Sequence, residues 1–362
     1  AAGYEACLFE QGQLGQEQTL ASQGMIHGGI KYALGGFTTP ASETIASMPA
    51  KWRDCIAGNG PLDLTGLGVL SDDYYLFSDG ALTAKVTAFF ASKSLRGRVT
   101  ALARKDFPEA FRSPEFKGTL YQLQDIVIDT QALLRLLRTK HSNHIYQAHV
   151  KANSNGDKIT SLQLNQLDSI TADEYIFAAG AGNGELLSEL SFVPTKMQLR
   201  PLKQVLVKGQ LPKVFAHAVS LRDANKPRLT ITTHSHPDGD EVWYLGGNLA
   251  EQGVGMTDDT LIAKTKQELA RLFPWIDQQH LAFRTLNVNR AEPATQDQSR
   301  PDFPFIKHIA NTTICWPTKL TLTPLLGDEV LNLLPAPRDG DWHTPQLPLA
   351  RLSPSPWELA FA

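Results

Sequence analysis

Cysteine is scarce: the 362-residue chain has three, Cys7, Cys55 and Cys315, too few and too scattered for a disulfide framework or a C-x-x-C metal site. A reducing cytoplasm is the expected setting. Long apolar runs are missing too, and no stretch approaches the ~18 consecutive apolar residues of a membrane span. The opening AAGYEACLFEQ has neither the basic n-region nor the apolar length of a secretory signal. Charge of one sign is also lacking. Lys and Arg number 34 against 37 Asp and Glu, a formal net charge of −3, which gives no reason to expect nucleic acid or an anionic surface as partner. No G-x-S-x-G, H-E-x-x-H or Walker loop occurs, so serine hydrolase, zinc protease and P-loop chemistry have no support. What remains is an ordinary globular composition, 42% hydrophobic and 20% charged, on a chain long enough for two domains.

Ala6-Cys7-Leu8-Phe9 is a short apolar run closed by Glu10, the pattern of a buried parallel strand. Glu10 on its own reads as a solvated strand-end carboxylate or as the acidic residue that meets a ribose in dinucleotide-binding folds. The G-x-G-x-x-G that would accompany the second reading is absent from the chain. From Leu20 to Tyr32, glycines and small residues crowd around His27, so backbone can approach a flat ligand closely.

The spacing predicts a helix over 40–57 capped by Ser42 or Thr44, a strand from Leu70 to Phe77, and an amphipathic helix over 81–93. The basic residues Lys93, Arg96, Arg98, Arg104 and Lys105 read as a solvated face. Gly118 to Ile128 reads as a strand, and Asp129 caps the helix behind it. Strands are expected at Ile145–Val150, Lys158–Leu164 and Tyr175–Ala179, the last running through a glycine turn into a helix near Glu185. Residues 199–250 read mostly as strand, with Pro237–Asp240 as a hairpin turn. A helix over 258–273, strands at Arg284–Arg290 and Thr312–Trp316, and a helix to about Leu334 follow, with Thr323 and Pro324 in the first turn of the last. From Pro335 the sequence reads as an extended, proline-rich tail. His234 and His236 share a strand face, which reads as a hydrogen-bonded surface; no metal is expected.

Four separated segments resemble the D-amino-acid oxidase and glycerol-phosphate dehydrogenase superfamily of FAD-dependent oxidoreductases. They are Phe9-Glu10; Ala21-Ser-Gln-Gly-Met-Ile-His-Gly-Gly-Ile-Lys-Tyr32, similar to S-x-x-x-I-H-G-G-x-R-Y; Ile176-Phe-Ala-Ala-Gly-Ala-Gly182; and Trp316-Pro-Thr-Lys-Leu-Thr-Leu-Thr-Pro324. The resemblance implies an α/β architecture in which a Rossmann-like FAD-binding domain is joined to a mostly antiparallel substrate domain. The flavin domain takes 1–71, 126–198 and 301–334, the substrate domain 72–125 and 199–300, and the tail 335–362. FAD is the implied cofactor, contacted by Glu10, by Ser22, Gln23, Gly24, Met25, Ile26 and His27, by Val150, by Ala179, Gly180 and Gly182, and by Pro317, Thr318, Lys319, Leu320 and Thr321. Relatives begin with a strand and G-x-G-x-x-G that cradle the pyrophosphate. This chain starts beyond that loop, which implies an N-terminal truncation of roughly 25 to 30 residues, about one strand, loop and helix.

The implied reaction removes a hydride from a C–H next to a hydroxyl or amine of a small anionic substrate, a hydroxy acid, polyol phosphate or amino acid. A cation or helix N-terminus at the flavin N1–O2 edge stabilises the reduced state, a role that Thr318–Thr321 with Lys319 fit; Lys319 as a plain surface lysine is the alternative. His27 reads as a base or substrate contact, as a structural histidine, or as a covalent flavin attachment point. The arginine that relatives use for a substrate carboxylate corresponds most closely to Arg290, in Asn289-Arg-Ala-Glu-Pro293, although the family's glycine is replaced and Ala-Glu precedes the proline. Arg200 reads equally as an ion-pair partner or a ligand contact. A truncated or degenerate chain without FAD is the rival reading. On the truncation reading this chain purifies colourless and an upstream-extended one yellow; stoichiometric flavin absorbance on the 362-residue chain would refute it.

Overall fold

The computed structural model describes residues 2–29, 40–78, 80, 99–166, 168–190, 192–219, 227–338 and 345–362. The expected helix over 81–93, the basic residues Lys93, Arg96 and Arg98, and Ile30 to Tyr32 lie outside the described residues. The strands, numbered in chain order, begin with β1 (Leu8–Glu10), β2 (Met25–Ile26), β3 (Val69–Ser71), β4 (Tyr74–Phe77), β5 (Val99–Ala101), β6 (Leu120–Leu123) and β7 (Ile126–Ile128). They continue with β8 (Ile145–Gln147), β9 (Val150–Asn155), β10 (Lys158–Leu164), β11 (Asp168–Ile170) and β12 (Tyr175–Phe177). The last seven are β13 (Met197–Gly209), β14 (Ala216–Ala218), β15 (Leu229–Ser235), β16 (Glu241–Gly246), β17 (Ala282–Pro293), β18 (Phe305–Ile309) and β19 (Thr312–Trp316).

Two architectures share this list. β1 lies parallel to β8, and β12 lies parallel to β19, the arrangement of a doubly wound α/β domain. An eight-stranded, mostly antiparallel sheet runs β17-β13-β16-β15-β14-β4-β6-β5. Side chains along its central strands alternate with period two. Val205, Val207, Trp243 and Leu245 enter a core with Phe77, Phe111 and Phe273, covered by the helix Asp258–Leu272. Gln204, Thr230, Thr232, His234 and Tyr244, all buried, occupy alternate positions beside Leu206 and Val242, so the opposite face is also buried and mixes polar with apolar side chains. No helix among the described residues is long and apolar enough to cross a membrane.

Several expected elements divide. Leu70–Phe77 is two strands, and so is Gly118–Ile128, because at both places the chain changes sheets: β3 and β7 pair with each other, while β4 and β6 join the large sheet. At the first crossing the Ser71 hydroxyl donates to the Asp73 carbonyl at 2.6 Å, a local turn that ends the strand. Arg53 clasps both crossings, giving Nη2 to the carbonyl of Asp72 at 3.2 Å and Nη1 to that of Gln124 at 2.9 Å. The helix expected over 40–57 is two, Pro40–Ala46 and Met48–Ile56, so Ser42 and Thr44 lie inside the first and not at its N-terminal boundary. Asp129 does cap Thr130–Lys140, accepting from the Ala132 N–H at 2.9 Å. Arg104 is tied down by the carbonyls of Ser113 and Phe116, not merely solvated.

The tail is not simply extended. Leu349 and Leu352 bridge to Tyr146 and Leu14, and a capping box at Ser355 and Glu358 then starts a helix, Pro356–Ala360. Its Trp357 stacks on His234 of the large sheet with ring centroids 4.0 Å apart. Burial holds the His234 imidazole down to about 3 from its ordinary 6.5, so it is neutral in the fold. Unfolding frees it to take up a proton, so the stability from neutral burial is complete above pH 6.5 and falls as pH drops toward 3, by up to about 1.4 kcal/mol per pH unit. Urea denaturation at pH 7 and pH 5 should therefore show a smaller loss for His234→Asn than for the parent; equal losses would contradict this.

Candidate active site

In open α/β sheets ligands sit beyond the carboxyl ends of the parallel strands. β1 ends at Glu10, whose Oε1 accepts the Gly12 N–H at 3.0 Å, so the carboxylate is fixed at the strand end. The Ala148 N–H donates to the Glu10 carbonyl at 3.0 Å, which brings the β8–β9 link, with half-buried Val150 opening β9, alongside. β12 runs through Ala179 into a 3₁₀ turn, Gly180–Gly182. Gly180 has φ +57° and a Cβ there would meet open space, so the left-handed backbone requires glycine, not crowding. Beneath this turn the buried Asn183 gives its amide to the carbonyls of Phe177 and Cys315, at 3.2 and 3.3 Å, and accepts from the Ala179 N–H at 3.0 Å. It staples β12 to β19 where both strands end. Sequence reading passed over Asn183; an asparagine inside G-A-G-N-G was the available signal.

β19 ends at Trp316 and leads into Pro317-Thr318-Lys319. Thr318 has φ +59°, a left-handed conformation that costs a β-branched residue about 1–2 kcal/mol. Its hydroxyl lies 2.7 Å from the Pro317 carbonyl and 3.2 Å from that of Phe303, contacts that hold the turn. Lys319 is 8% exposed, and its Nζ donates to the Asp302 carbonyl at 2.9 Å, so it is not a surface lysine. A 3₁₀ turn, Leu320–Leu322, precedes the helix Thr323–Leu333, so the helix begins later than a first turn at Thr318–Thr321 would require.

Residues 294 positions apart meet here: the Thr321 hydroxyl accepts the His27 N–H at 3.2 Å. The same oxygen lies 3.4 Å from the Met25 carbonyl, and Trp52 Nε1 donates to the Thr321 carbonyl at 3.0 Å. His27 itself is buried. On the other side, the Gln23 amide donates to the Tyr244 carbonyl at 2.7 Å, directing this side chain into the large sheet. The Tyr244 hydroxyl donates to the Ala21 carbonyl at 2.7 Å. Burial holds that phenol well above its ordinary value, so it acts only as a neutral group. Ser22 Oγ accepts the Gly24 N–H at 3.2 Å, and Gly24, at φ +70°, passes so close to β7 that a Cβ would stand 2.1 Å from the Ile128 carbonyl oxygen.

Arg290 lies directly opposite Arg200 in the β13–β17 pair. Arg200 is an ion-pair partner, with Nε 2.7 Å from Oε2 of Glu292, a carboxylate only 1% exposed. Arg290 Nε donates to the Arg200 carbonyl at 3.2 Å. Burial first, and the Arg200 charge second, pull the Arg290 guanidinium down to about 10. β17 touches the Gly180–Gly182 turn, and its Ala291 N–H donates to Gln18 at 2.6 Å, so these arginines sit on the strand that meets both the glycine turn and the 18–28 segment.

Residues 1–328 match the family model described as FAD dependent oxidoreductase. A probable FAD-dependent oxidoreductase of Pseudomonas aeruginosa is 42% identical over 369 residues, covering 100% of this chain and 93% of that protein. The crystal structure of the Pseudomonas aeruginosa FAD dependent oxidoreductase superposes with a TM-score of 0.86 at 37% identity, over 100% of this chain and 93% of that one. Two more distant structures share the fold. Iminodiacetate oxidase from Chelativorans sp. BNC1 has a TM-score of 0.62 at 18% identity, over 91% and 89% of the two chains. FAD-bound L-α-glycerophosphate oxidase from Mycoplasma pneumoniae has 0.61 at 13%, over 94% and 92%.

Because the Thr321 hydroxyl accepts a buried backbone N–H, Thr321→Val leaves that group unsatisfied and should lower stability by about 1–3 kcal/mol. Chemical denaturation checks this, and a change under about 0.5 kcal/mol would count against the contact.

Proposed function

The chain belongs to the family of FAD-dependent oxidoreductases, whose cofactor is FAD, and from that premise we propose that it oxidises a C–H bond next to a hydroxyl or amine of a small anionic substrate. The residues present fit the ribose and ring of the group, while no G-x-G-x-x-G for its pyrophosphate occurs among the 362 residues. Glu10 stands fixed at a strand end suited to a ribose, and the left-handed Gly180, with open space where a Cβ would stand, lies just past the end of β12. Met25, Ile26 and His27, together with Lys319, Leu320 and Thr321, would hold the flavin ring, and Lys319 would contribute a buried cation. Bound FAD supplies the two-electron acceptor.

The arginine pair on β13 and β17 carries the substrate reading. Arg200 is paired with the buried Glu292, and Arg290 on the opposite strand presents a second guanidinium that a carboxylate or phosphate would satisfy through two-pronged hydrogen bonds. Arg290 binds and orients that anion. His27 takes the proton from the hydroxyl or amine, for which an imidazole is suited near neutral pH. The histidine segment favours a hydroxy acid or polyol phosphate, and Arg290 an amino acid. The distant structures named for iminodiacetate and glycerophosphate oxidation act on anions of this size.

Anaerobic addition of hydroxy acids, polyol phosphates and amino acids to the flavin-loaded protein should bleach the flavin for one of these classes; bleaching by none of them would defeat the proposal. With the active substrate, His27→Asn should lower kcat by about 100-fold or more. Arg290→Met should raise KM by about 10- to 100-fold. Unchanged kcat for the first or unchanged KM for the second removes that residue from its role.

A further inference from the structure

We propose that Asp125 is a positioning residue of this site: its buried carboxylate holds the His27–Gly28 peptide, and with it the His27 imidazole, in the orientation the reaction uses. The inference rests on the reading that places His27 at the reacting centre. Asp125 occupies the crossing between β6, in the large sheet, and β7, which pairs with β2. It is 2% exposed, and its Oδ1 accepts the Gly28 N–H at 2.8 Å. The antiparallel register Met25↔Val127 and Ile26↔Ile126 brings His27 opposite Asp125, at the point where the ladder stops. Beyond that point the carboxylate takes over the task of a strand partner.

One more ladder bond would have held Gly28 without burying a charge, which is costly unless hydrogen bonds compensate it. Asp125 stands where the chain itself passes from the large sheet to the strand that pairs with β2. The Asp125 charge is felt by the fully buried Tyr74 of β4, whose phenol is raised by burial first and by Asp125 second. Tyr74 packs against His217 with ring centroids 4.8 Å apart, and His217 Nδ1 meets Thr230 Oγ1 at 2.9 Å. Arg53 pins the same crossing through the neighbouring Gln124 carbonyl.

Amide hydrogen exchange on the protein without added substrate reads the contact directly, whether or not the chemistry is as proposed. In the parent, the peptide carrying the Gly28 amide should exchange as slowly as the β2–β7 ladder. Asp125→Ala should speed it by about 10- to 100-fold, whereas Asp125→Asn, which keeps an acceptor oxygen, should stay near the parent. In turnover, Asp125→Ala should lower kcat by a similar factor with little change in KM, and Asp125→Asn should restore most of it. Fast exchange at Gly28 in the parent overturns the proposal. So does an Asn variant as impaired as Ala, or an Ala variant that loses protection yet keeps its kcat. If Asp125→Ala does not fold, parent and Asn exchange still decide the contact. A failure of His27→Asn to affect kcat would sink the chemical reading while leaving the exchange result standing.

Discussion

Buried backbone must find hydrogen-bond partners, and the stretch from Gln18 to Gly28 finds them on two different sheets at once. From the large sheet, the Tyr244 hydroxyl takes the Ala21 carbonyl, and the Ala291 N–H comes to the Gln18 side chain. From the α/β side, Thr321 accepts the His27 N–H and the Ile128 N–H donates to the Gly24 carbonyl. Asp125, at the crossing between the two, takes Gly28. Neither sheet can slide past the other without leaving one of these groups unsatisfied, at roughly 1–3 kcal/mol each. The segment that carries His27 is thus also the one bonded to both sheets.

Electrostatics points the same way. Lys319 is buried with a backbone carbonyl for company, and Arg290 is half-buried beside a second arginine. A stability argument does not account for either, because desolvating a cation, and placing like charges together, both oppose folding. Such local departures from what stability favours concentrate at functional sites. The strained Thr318, next to Lys319, belongs to the same account: a left-handed β-branched residue persists because contacts to Phe303 and Pro317 hold it.

Much of this was legible beforehand, for identifiable reasons. The Asp129 cap, the hairpin at Pro237–Asp240 and the helix from Asp258 depend on short-range chemistry and fell close to where spacing put them. The breaks at 71–74 and 123–126 did not show, because a strand keeps the same alternation when it passes from one sheet to another. The helix at Pro356 was hidden behind prolines that also suit an extended tail, although Ser355 and Glu358 form its capping box. Asn183, Asp125 and Trp357 are ordinary residue types whose meaning comes from partners far along the chain, and no local pattern encodes such partners.

Taken alone, the sequence determined the family through four short segments in order, the α/β class, and the residue types available for the chemistry. Glycine at 24 and 180, a histidine among glycines and a lysine after Pro317-Thr318 follow from conformational and chemical needs that act within a few residues. Tertiary structure alone decided that Gln23 turns into the substrate sheet, that Lys319 is buried, that Arg200 is committed to Glu292 while Arg290 lies beside it, and that a carboxylate at a domain crossing holds the His27–Gly28 peptide. The physical reason is that burial and hydrogen-bond partnership belong to pairs of distant residues. A side chain's charge cost and its partner exist only once the two sheets have closed on the segment between them.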